Sequence, residues 1–322
     1  ALMYLVTDLV EAWEYSHVPL EQQLASQQVR QFELDIYPDP DGGRYFFRLG
    51  PLLVGDSPFG PLGLLAPGMK VIHVPSLDFE TTCIALIACL QEIEDWSLAN
   101  PGHLPLMILV EAKTSALGGS PAARELAGVA ADPGVTPSFG AAELDAVDAE
   151  IRSVFNEDQL FTPDDLRGDH ATLEQAVLTD GWPTLGALRG QVMFALDNGG
   201  AERDAYLVGH PSLEGRVMFT NDSPGQDDAA FVKRNDPQGT PGEIAGLVAK
   251  GYLVRTRADT DTQEARSGDT TRRDAALASG AQFVSTDFPE PSGQPGFTDY
   301  AVQLPDGLPA RCNPVNGPQG CR

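Results

Sequence analysis

Residues 31–37 read QFELDIY and residues 105–113 read PLMILVEAK, and these two stretches decide the fold class. The first alternates apolar and acidic residues, which predicts a strand whose carboxylates share one face. The second is a continuous apolar run that ends in charge, a pattern typical of parallel strands that are buried on both faces. We therefore predict an α/β fold in which parallel strands carry Glu33, Asp35 and Glu111 at or near their C-terminal ends.

Strand and helix patterns alternate along most of the chain around these two stretches. Further strands are predicted at 68–74, within 181–200, and at 216–221, 229–235, 252–259 and 282–288. Helices are predicted at 1–15, 20–29, 83–98, 141–155, at the start of 181–200, and at 241–251 and 271–281. A doubly wound sheet would share this alternation, but the number of strand–helix units favours a TIM-type (β/α) barrel. Residues 1–322 are expected to form one barrel domain with a Pro/Gly-rich C-terminal tail, and residues 115–141 are predicted to be a long loop or insertion.

The composition is that of an acidic, folded protein. The 322 residues are 42% hydrophobic and carry a formal net charge of −25. A chain of that charge repels nucleic acid, so we expect no nucleic-acid partner. The acidic surface either serves solubility or favours divalent cations, and composition does not choose between the two. No apolar run is long enough for a transmembrane helix, and we expect a monomer.

The four cysteines form two local pairs, Cys83 with Cys89 and Cys312 with Cys321. An even count in close pairs predicts two short disulfides. Zinc would also accept four thiolates, but neither pair has the two-residue spacing of a zinc knuckle. Disulfides imply an oxidising compartment, so we expect a secreted, extracellular protein. The N-terminus lacks the pattern of a signal peptide, and we interpret the chain as a mature or trimmed form.

Ionisable residues near the ends of three predicted strands are the candidate site. Because the C-terminal strand ends of a barrel converge, Glu33, Asp35, Glu111 and His73 are expected to lie close together. Three converging carboxylates repel one another unless a cation neutralises them, and Ca²⁺ accepts several carboxylate oxygens in irregular geometry. The alternative is that these carboxylates form structural ion pairs with arginines. A lone histidine such as His73 is more often structural than catalytic, but beside the carboxylates it could donate a proton.

Several segments resemble the secreted, calcium-dependent phosphatidylinositol-specific phospholipase C proteins of actinobacteria. The resemblance is carried by QFELDIYPDPDGG, GMKVIHVPSLDFETTC, HLPLMILVEAK, WPTLGALRGQVMFALDN, VRTRADT and ASGAQFVSTDF. It implies Glu33, Asp35 and Glu111 as Ca²⁺ ligands and His73 as one half of an acid/base pair. It also implies that an inositol hydroxyl attacks the phosphorus, so that diacylglycerol leaves and a cyclic inositol phosphate forms.

One motif of that family does not occur in this chain. The family usually begins with a strand that ends in His-Asn, which supplies the second acid/base group and another Ca²⁺ ligand. No His-Asn precedes Glu33, and His17 is the only upstream histidine. We expect His17 to pack against or cap the helix that follows it.

An anionic lipid headgroup needs local cations in so acidic a chain. Lys113 is two residues beyond Glu111 and faces the same way, and Lys233 and Arg257 lie near the ends of later strands. Asp197 ends the MFALD stretch and could accept hydrogen bonds from inositol hydroxyls. We predict that Lys113, Asp197, Lys233 and Arg257 bind substrate, the alternative for each being an ion pair at the barrel mouth. Arg255 shares a face with Arg257 and could replace it, and Asp287 is a weaker candidate.

The expected partner is phosphatidylinositol in membranes or micelles, bound transiently at the interface. No tryptophan stripe or basic amphipathic helix appears in the sequence. Two other functions remain open: a glycerophosphodiester phosphodiesterase, which would act on the deacylated substrate, and a non-catalytic protein that binds calcium or lipid headgroups.

Overall fold

A computed structural model describes residues 11–48, 50–53, 55–75, 78–114, 138–239, 242–318 and 321. Within these ranges the strands are β1 Gln31–Tyr37, β2 Lys70–Val71, β3 Leu106–Ala112, β4 Val192–Leu196, β5 Met218–Thr220, β6 Phe231–Lys233, β7 Leu253–Arg257 and β8 Phe283–Ser285. The α-helices are α1 Leu20–Ala25, α2 Gly50–Leu53, α3 Leu86–Ala99, α4 Ala141–Val154, α5 Pro163–Arg167, α6 Leu173–Thr179, α7 Gly200–Leu207, α8 Glu243–Ala249, α9 Gln263–Ser267 and α10 Thr271–Ala278. Most of the helix predicted at 1–15 and of the insertion predicted at 115–141 lies outside the described residues.

The strands form two sheets whose ends meet in a distorted barrel. One sheet has the order β2-β1-β3-β4-β5 and the other has the order β6-β7-β8. A parallel bridge between Asn221 and Phe231 joins β5 to β6. On the opposite side, Gln31 of β1 donates to the hydroxyl of Ser285 of β8 over 2.6 Å. Except for β2, neighbouring strands run parallel, so their C-terminal ends share one face of the molecule.

The predicted strand at 68–74 is shorter than expected and runs the other way. Only Lys70–Val71 is extended in a ladder, and it pairs antiparallel with the end of β1. Val74 then bridges back to Asp78, which closes a tight turn. His73 therefore lies in the loop after β2 and not in a parallel barrel strand, which corrects the strand-end placement predicted from the sequence.

A core of apolar side chains fills the space between strands and helices. Every residue of β4 is buried, as are all of β3 except Glu111, because both faces of these strands are covered.

The helix predicted at the start of 181–200 is wrong. Residues 181–190 form loops and turns, because Pro183 and the glycines disfavour a helix there. Gly190 has a φ of 82°, and a Cβ there would lie 2.7 Å from the carbonyl oxygen of Pro101.

Both predicted disulfides are confirmed, between Cys83 and Cys89 and between Cys312 and Cys321. The first ties the start of α3 to the loop before it, and the second closes a loop in the C-terminal tail. In the described part of the chain, no helix is long and apolar enough to cross a bilayer.

Candidate metal centre and active site

Three carboxylates converge where β1 and β3 end. Asp35 and Glu111 are direct neighbours in the parallel ladder, and Glu33 precedes Asp35 by two residues on the same face. One oxygen from each carboxylate lies within 4.8 Å of the other two. The convergence predicted from the two strand patterns is therefore present for these three residues.

Two cations border this cluster. The ammonium of Lys113 lies 2.9 Å from Asp35 Oδ2 and 2.9 Å from Glu111 Oε2. The guanidinium of Arg255 donates to Glu33 Oε2 over 2.6 Å. Ser285 and Asn235 each accept a further hydrogen bond from Arg255 over 2.6 Å. This guanidinium is thus held rigidly between the two sheets.

The cluster holds more negative charge than its cations compensate. Burial raises the pKa of Asp35 to about 7; Lys113 opposes this shift, while the charges of Glu111 and Glu33 add to it. Burial also raises the pKa of Glu33 against the opposing effect of Arg255. For Glu111 burial acts in the same sense, but Lys113 and a hydrogen bond with Asp35 outweigh it and lower the pKa. Without a further cation, Asp35 and Glu111 are placed to share a proton.

The geometry fits a calcium ion. Ca²⁺ binds carboxylate oxygens at about 2.3–2.6 Å, so two oxygens on opposite sides of one ion are separated by roughly 5 Å. The 4.8 Å limit within which the three oxygens lie is compatible with that spacing. A carboxylate can accept from a guanidinium with one oxygen and bind a cation with the other, so the Arg255 pair leaves Glu33 able to contribute.

His73 lies beside this cluster with its ring fixed on two sides. Its Nδ1 is 2.7 Å from Asp78 Oδ2, and the ring of Trp13 contacts it edge to face at 5.5 Å between centroids. The Tyr37 hydroxyl donates to the backbone carbonyl of His73 over 3.0 Å. Since the charge of His73 lowers the pKa of Asp35, the histidine is within electrostatic reach of the carboxylates.

A cavity of about 1710 Å³ opens at these residues. Its lining includes His73 and Asp78, the three carboxylates, Lys113, Arg255, Arg257 and Asp287. His17 also lines it, with its ring 5.4 Å from that of Tyr15. Burial lowers the pKa of His17, with Asp259 opposing the shift. The helix that follows begins at Leu20 with no side-chain cap, so of the two roles expected of His17 capping is wrong, and packing against the helix stays a prediction.

The four residues predicted to bind substrate all lie in ion pairs. Lys113 bridges two carboxylates as described above. Lys233 pairs with the carboxylate of Asp197 and also donates to its backbone oxygen over 3.1 Å. Arg257 lies 3.4 Å from Asp287. Of these, Lys113 and Arg257 line the cavity, whereas Asp197 and Lys233 are not among its lining residues in the described chain. Their contact with substrate stays a prediction.

Sequence reasoning missed three residues of the site. Asp78 fixes His73, but the loop that places it five residues away has no regular period from which to predict it. Trp13 lies before the first predicted strand, so no sequence pattern predicts its contact with His73. Arg255 was considered only as a replacement for Arg257, yet it is the arginine that contacts Glu33. Arg255 and Arg257 are two residues apart in VRTRAD, so both lie on the same face of the strand. This spacing does not indicate which of the two contacts Glu33.

The chain matches one known protein family over most of its length. A family model described as "Phosphoinositide phospholipase C, Ca2+-dependent" matches residues 2–314. The chain is similar to the solved structure of a Ca²⁺-dependent phosphatidylinositol-specific phospholipase C from Streptomyces antibioticus, with 18% identity and a TM-score of 0.54 over 83% of this chain and 88% of that chain. It is also similar to a calcium-dependent phosphoinositol-specific phospholipase C from a Pseudomonas species, with 18% identity and a TM-score of 0.53 over 92% of both chains. The search of curated proteins finds no match. At such identities the solved structures support the fold, and they confirm the prediction of a TIM-type (β/α) barrel.

Proposed function

We propose a reaction for this chain from the premise that it belongs to the Ca²⁺-dependent phosphoinositide phospholipase C family. The proposed reaction cleaves phosphatidylinositol to diacylglycerol and a cyclic inositol phosphate. The observation that carries it is the convergence of Glu33, Asp35 and Glu111 beside the His73–Asp78 pair in one cavity. These three carboxylates would hold Ca²⁺, which when bound would polarise a phosphate oxygen and make the attacking hydroxyl more acidic.

The proposed covalent step exchanges one phosphorus–oxygen bond for another. The inositol hydroxyl next to the phosphate attacks the phosphorus, and the bond from phosphorus to the glycerol oxygen breaks. The hydroxyl proton passes to a carboxylate of the cluster, Asp35 or Glu111. The glycerol oxygen takes a proton from His73, so diacylglycerol leaves as a neutral alcohol and the cyclic phosphodiester keeps one negative charge.

His73 is suited to the role of general acid by its bond to Asp78. The Asp78 carboxylate engages Nδ1 and fixes the ring orientation, so Nε2 is the nitrogen left to face the leaving oxygen. The edge contact with Trp13 limits rotation of the ring. A general acid held in this way contributes about 10²–10⁴-fold to the rate.

The headgroup would bind among the charges at the mouth. Arg257 and Lys113 line the cavity and would offset the phosphate charge. Asp197 and Lys233 pair with each other near the end of β4 and would act on inositol hydroxyls only after that pair opens. We further propose that the chain acts as one secreted barrel domain with a stapled tail. The two disulfides support an oxidising compartment.

The test is turnover of phosphatidylinositol with and without Ca²⁺, with products followed by ³¹P NMR. We expect a cyclic inositol phosphate to form only with Ca²⁺, and no product from glycerophosphoinositol. The reverse preference would contradict the proposal and favour a glycerophosphodiester phosphodiesterase. Binding of Ca²⁺ without any turnover would favour the non-catalytic alternative.

The chain offers a matched control for His73. His170 also contacts an aspartate, with Nε2 2.7 Å from Asp180 Oδ2, but it does not line the cavity. We expect His73→Ala to lower kcat by about 10²–10⁴-fold and His170→Ala to leave it unchanged. Equal effects of the two substitutions would contradict the assignment of His73.

A further inference from the structure

Residues 11–17, which read EAWEYSH, run along the mouth of the cavity. We call this segment the strap. The proposed reaction assigns no substrate contact to any of its side chains. Five of its seven residues line the cavity: Ala12, Trp13, Tyr15, Ser16 and His17. A segment that borders a site along most of its length is placed to contact a ligand that enters there.

Side chains that follow β7 hold the strap in place. The hydroxyl of Thr262 donates to the backbone oxygen of Glu11 over 2.8 Å, and Arg266 of α9 forms an ion pair with Glu14. Thr262 is buried and has a φ of 61°, a left-handed conformation that is costly for a β-branched residue. Because the fold tolerates this strain at the residue that bonds to the strap, the position of the strap is a fixed feature of the mouth.

Tyr15, near the centre of the strap, is held by its ring and by its backbone. The ring lies 6.4 Å from that of Phe288 between centroids and packs against the small apolar cluster that Phe288 forms with Ala265 and Tyr300. The backbone N–H of Tyr15 donates to the carbonyl of Trp13 over 2.8 Å. These contacts account for the ring and the backbone of Tyr15 but not for its hydroxyl.

The hydroxyl of Tyr15 differs from those of the other described tyrosines. Each of the other five donates to an oxygen of the protein: Tyr37, Tyr45, Tyr206, Tyr252 and Tyr300. The Tyr15 hydroxyl makes no hydrogen bond to any residue in the described part of the chain. Since a tyrosine hydroxyl in partly buried surroundings usually has a partner, this one is available to a ligand in the cavity.

The surroundings of this phenol keep it protonated. Burial raises the pKa of Tyr15, and carboxylate charges raise it further; these belong to Asp287, Asp78, Asp35 and Glu33. A phenol that stays protonated remains a hydrogen-bond donor. Because these carboxylates include members of the candidate metal centre, a ligand bound at that centre would lie beside Tyr15.

A free donor matters here because the cations of the mouth are already engaged. Lys113, Arg255 and Arg257 each contact at least one carboxylate. An anionic ligand would have to share these cations, whereas Tyr15 has no acceptor in the described chain to give up. Hydrogen bonds to ionised acceptors are shorter and stronger than those between neutral groups. A phosphate oxygen is therefore favoured over an inositol hydroxyl as the partner of Tyr15.

We propose that the hydroxyl of Tyr15 donates a hydrogen bond to a phosphate oxygen of the inositol phospholipid headgroup in the cavity. This inference rests on the proposed function, since the headgroup is that of the substrate named there. It adds a neutral donor on the strap to the two cations, Lys113 and Arg257, that were proposed to offset the phosphate charge.

The experiment compares two ligands that differ only in the phosphate. Affinities for myo-inositol 1-phosphate and for myo-inositol are measured by NMR titration with Ca²⁺ present. Tyr15→Phe removes the hydroxyl and keeps the ring. The matched control is Tyr252→Phe, because Tyr252 donates to Glu174 over 2.6 Å and does not line the cavity. We expect Tyr15→Phe to bind the inositol phosphate about tenfold more weakly and to bind myo-inositol like wild type, which shows that it folds. The control should bind both ligands like wild type.

Two results for Tyr15→Phe would overturn the inference: unchanged affinity for the inositol phosphate, or an equal loss for both ligands. Wild type that binds neither ligand would overturn it as well. Turnover of phosphatidylinositol is measured in parallel. Wild type that shows the expected binding but cleaves no phosphatidylinositol would contradict the proposed function alone, because the binding comparison does not depend on turnover.

Discussion

Two clusters of acidic side chains lie at or near the C-terminal ends of parallel strands of one sheet and differ in how their oxygens are used. In one, Asp222 and Asp228 after β5 both contact Arg203. Asp228 accepts from Arg203 with both oxygens and also from Thr220, so the guanidinium lies among the carboxylates. In the other, one oxygen from each of Glu33, Asp35 and Glu111 lies within 4.8 Å of the other two, with Lys113 and Arg255 as the neighbouring cations.

Access separates the two clusters as well. The cluster around Arg203 is not part of the cavity lining within the described chain, whereas all three carboxylates of the candidate metal centre are. Acidic residues at strand ends therefore do not by themselves indicate a metal site. The distinguishing features are three carboxylate oxygens that lie within 4.8 Å of one another and an opening through which a ligand can enter.

The largest expected effect is on activity, through Glu111→Gln. The substitution keeps the size of the side chain but removes one charge from the converging oxygens. We expect Ca²⁺-dependent turnover of phosphatidylinositol to fall by about 10³-fold, since stabilisation of transition-state charge by a metal is worth several kcal/mol. The matched substitution Asp222→Asn, in the other cluster, should leave turnover within about twofold. A similar loss in both variants would erase the distinction between the clusters.

The next effect is on stability, through Asp228→Asn. Removing the charge from a buried carboxylate that faces Arg203 leaves part of that guanidinium uncompensated, which costs about 3 kcal/mol. Urea unfolding in calcium-free buffer should show this loss, while the Ca²⁺ concentration needed for half-maximal turnover stays the same. If Asp228→Asn instead changed the Ca²⁺ requirement and not the stability, the roles of the two clusters would be reversed.

The smallest effect is on the pH dependence of stability. It arises from Asp259, a buried carboxylate outside both clusters that makes no ion pair among the described residues. Burial raises its pKa to about 6, with Asp287 adding to the shift and hydrogen bonds from Thr286 and the Asp287 amide opposing it. The folded state thus holds this proton more tightly than the unfolded chain does. Its contribution to stability is full below the ordinary Asp pKa of about 3.9 and is lost as the pH rises towards 6.

Asp259→Asn removes that titration. The free energy of unfolding of the variant, relative to wild type, should therefore rise by about 2 kcal/mol between pH 4 and pH 6. Urea unfolding at several pH values in calcium-free buffer measures this difference. Parallel stability curves for the two proteins would show that Asp259 titrates normally.

The fold and part of the site could be predicted from the sequence because local patterns encode them. The alternation in QFELDIY places β1 at Gln31–Tyr37 as expected, and the apolar run after His103 places β3 at Leu106–Ala112. Parallel pairing of these strands then brings Asp35 and Glu111 together. The prediction of helix 141–155 is likewise confirmed, by Ala141–Val154, because its apolar residues repeat with helical spacing.

The remainder of the site depends on contacts between distant segments. His73 was expected in a parallel strand, but β2 is too short and pairs antiparallel with β1. Its bond to Asp78 is set by a turn, and its contact with Trp13 joins residues 60 positions apart. The contact of Arg255 with Glu33 crosses from one sheet to the other. Spacing along a single strand carries no information on any of these pairs.

The most direct test of the central claim is calorimetric titration of Ca²⁺ into the metal-free chain. Wild type is compared with Asp35→Asn/Glu111→Gln and with Asp228→Asn. We predict one class of Ca²⁺ site in wild type and in Asp228→Asn, and its loss in the double variant. Ca²⁺ binding that survives in the double variant, or that disappears in Asp228→Asn, would contradict the assignment of Glu33, Asp35 and Glu111 as the calcium site.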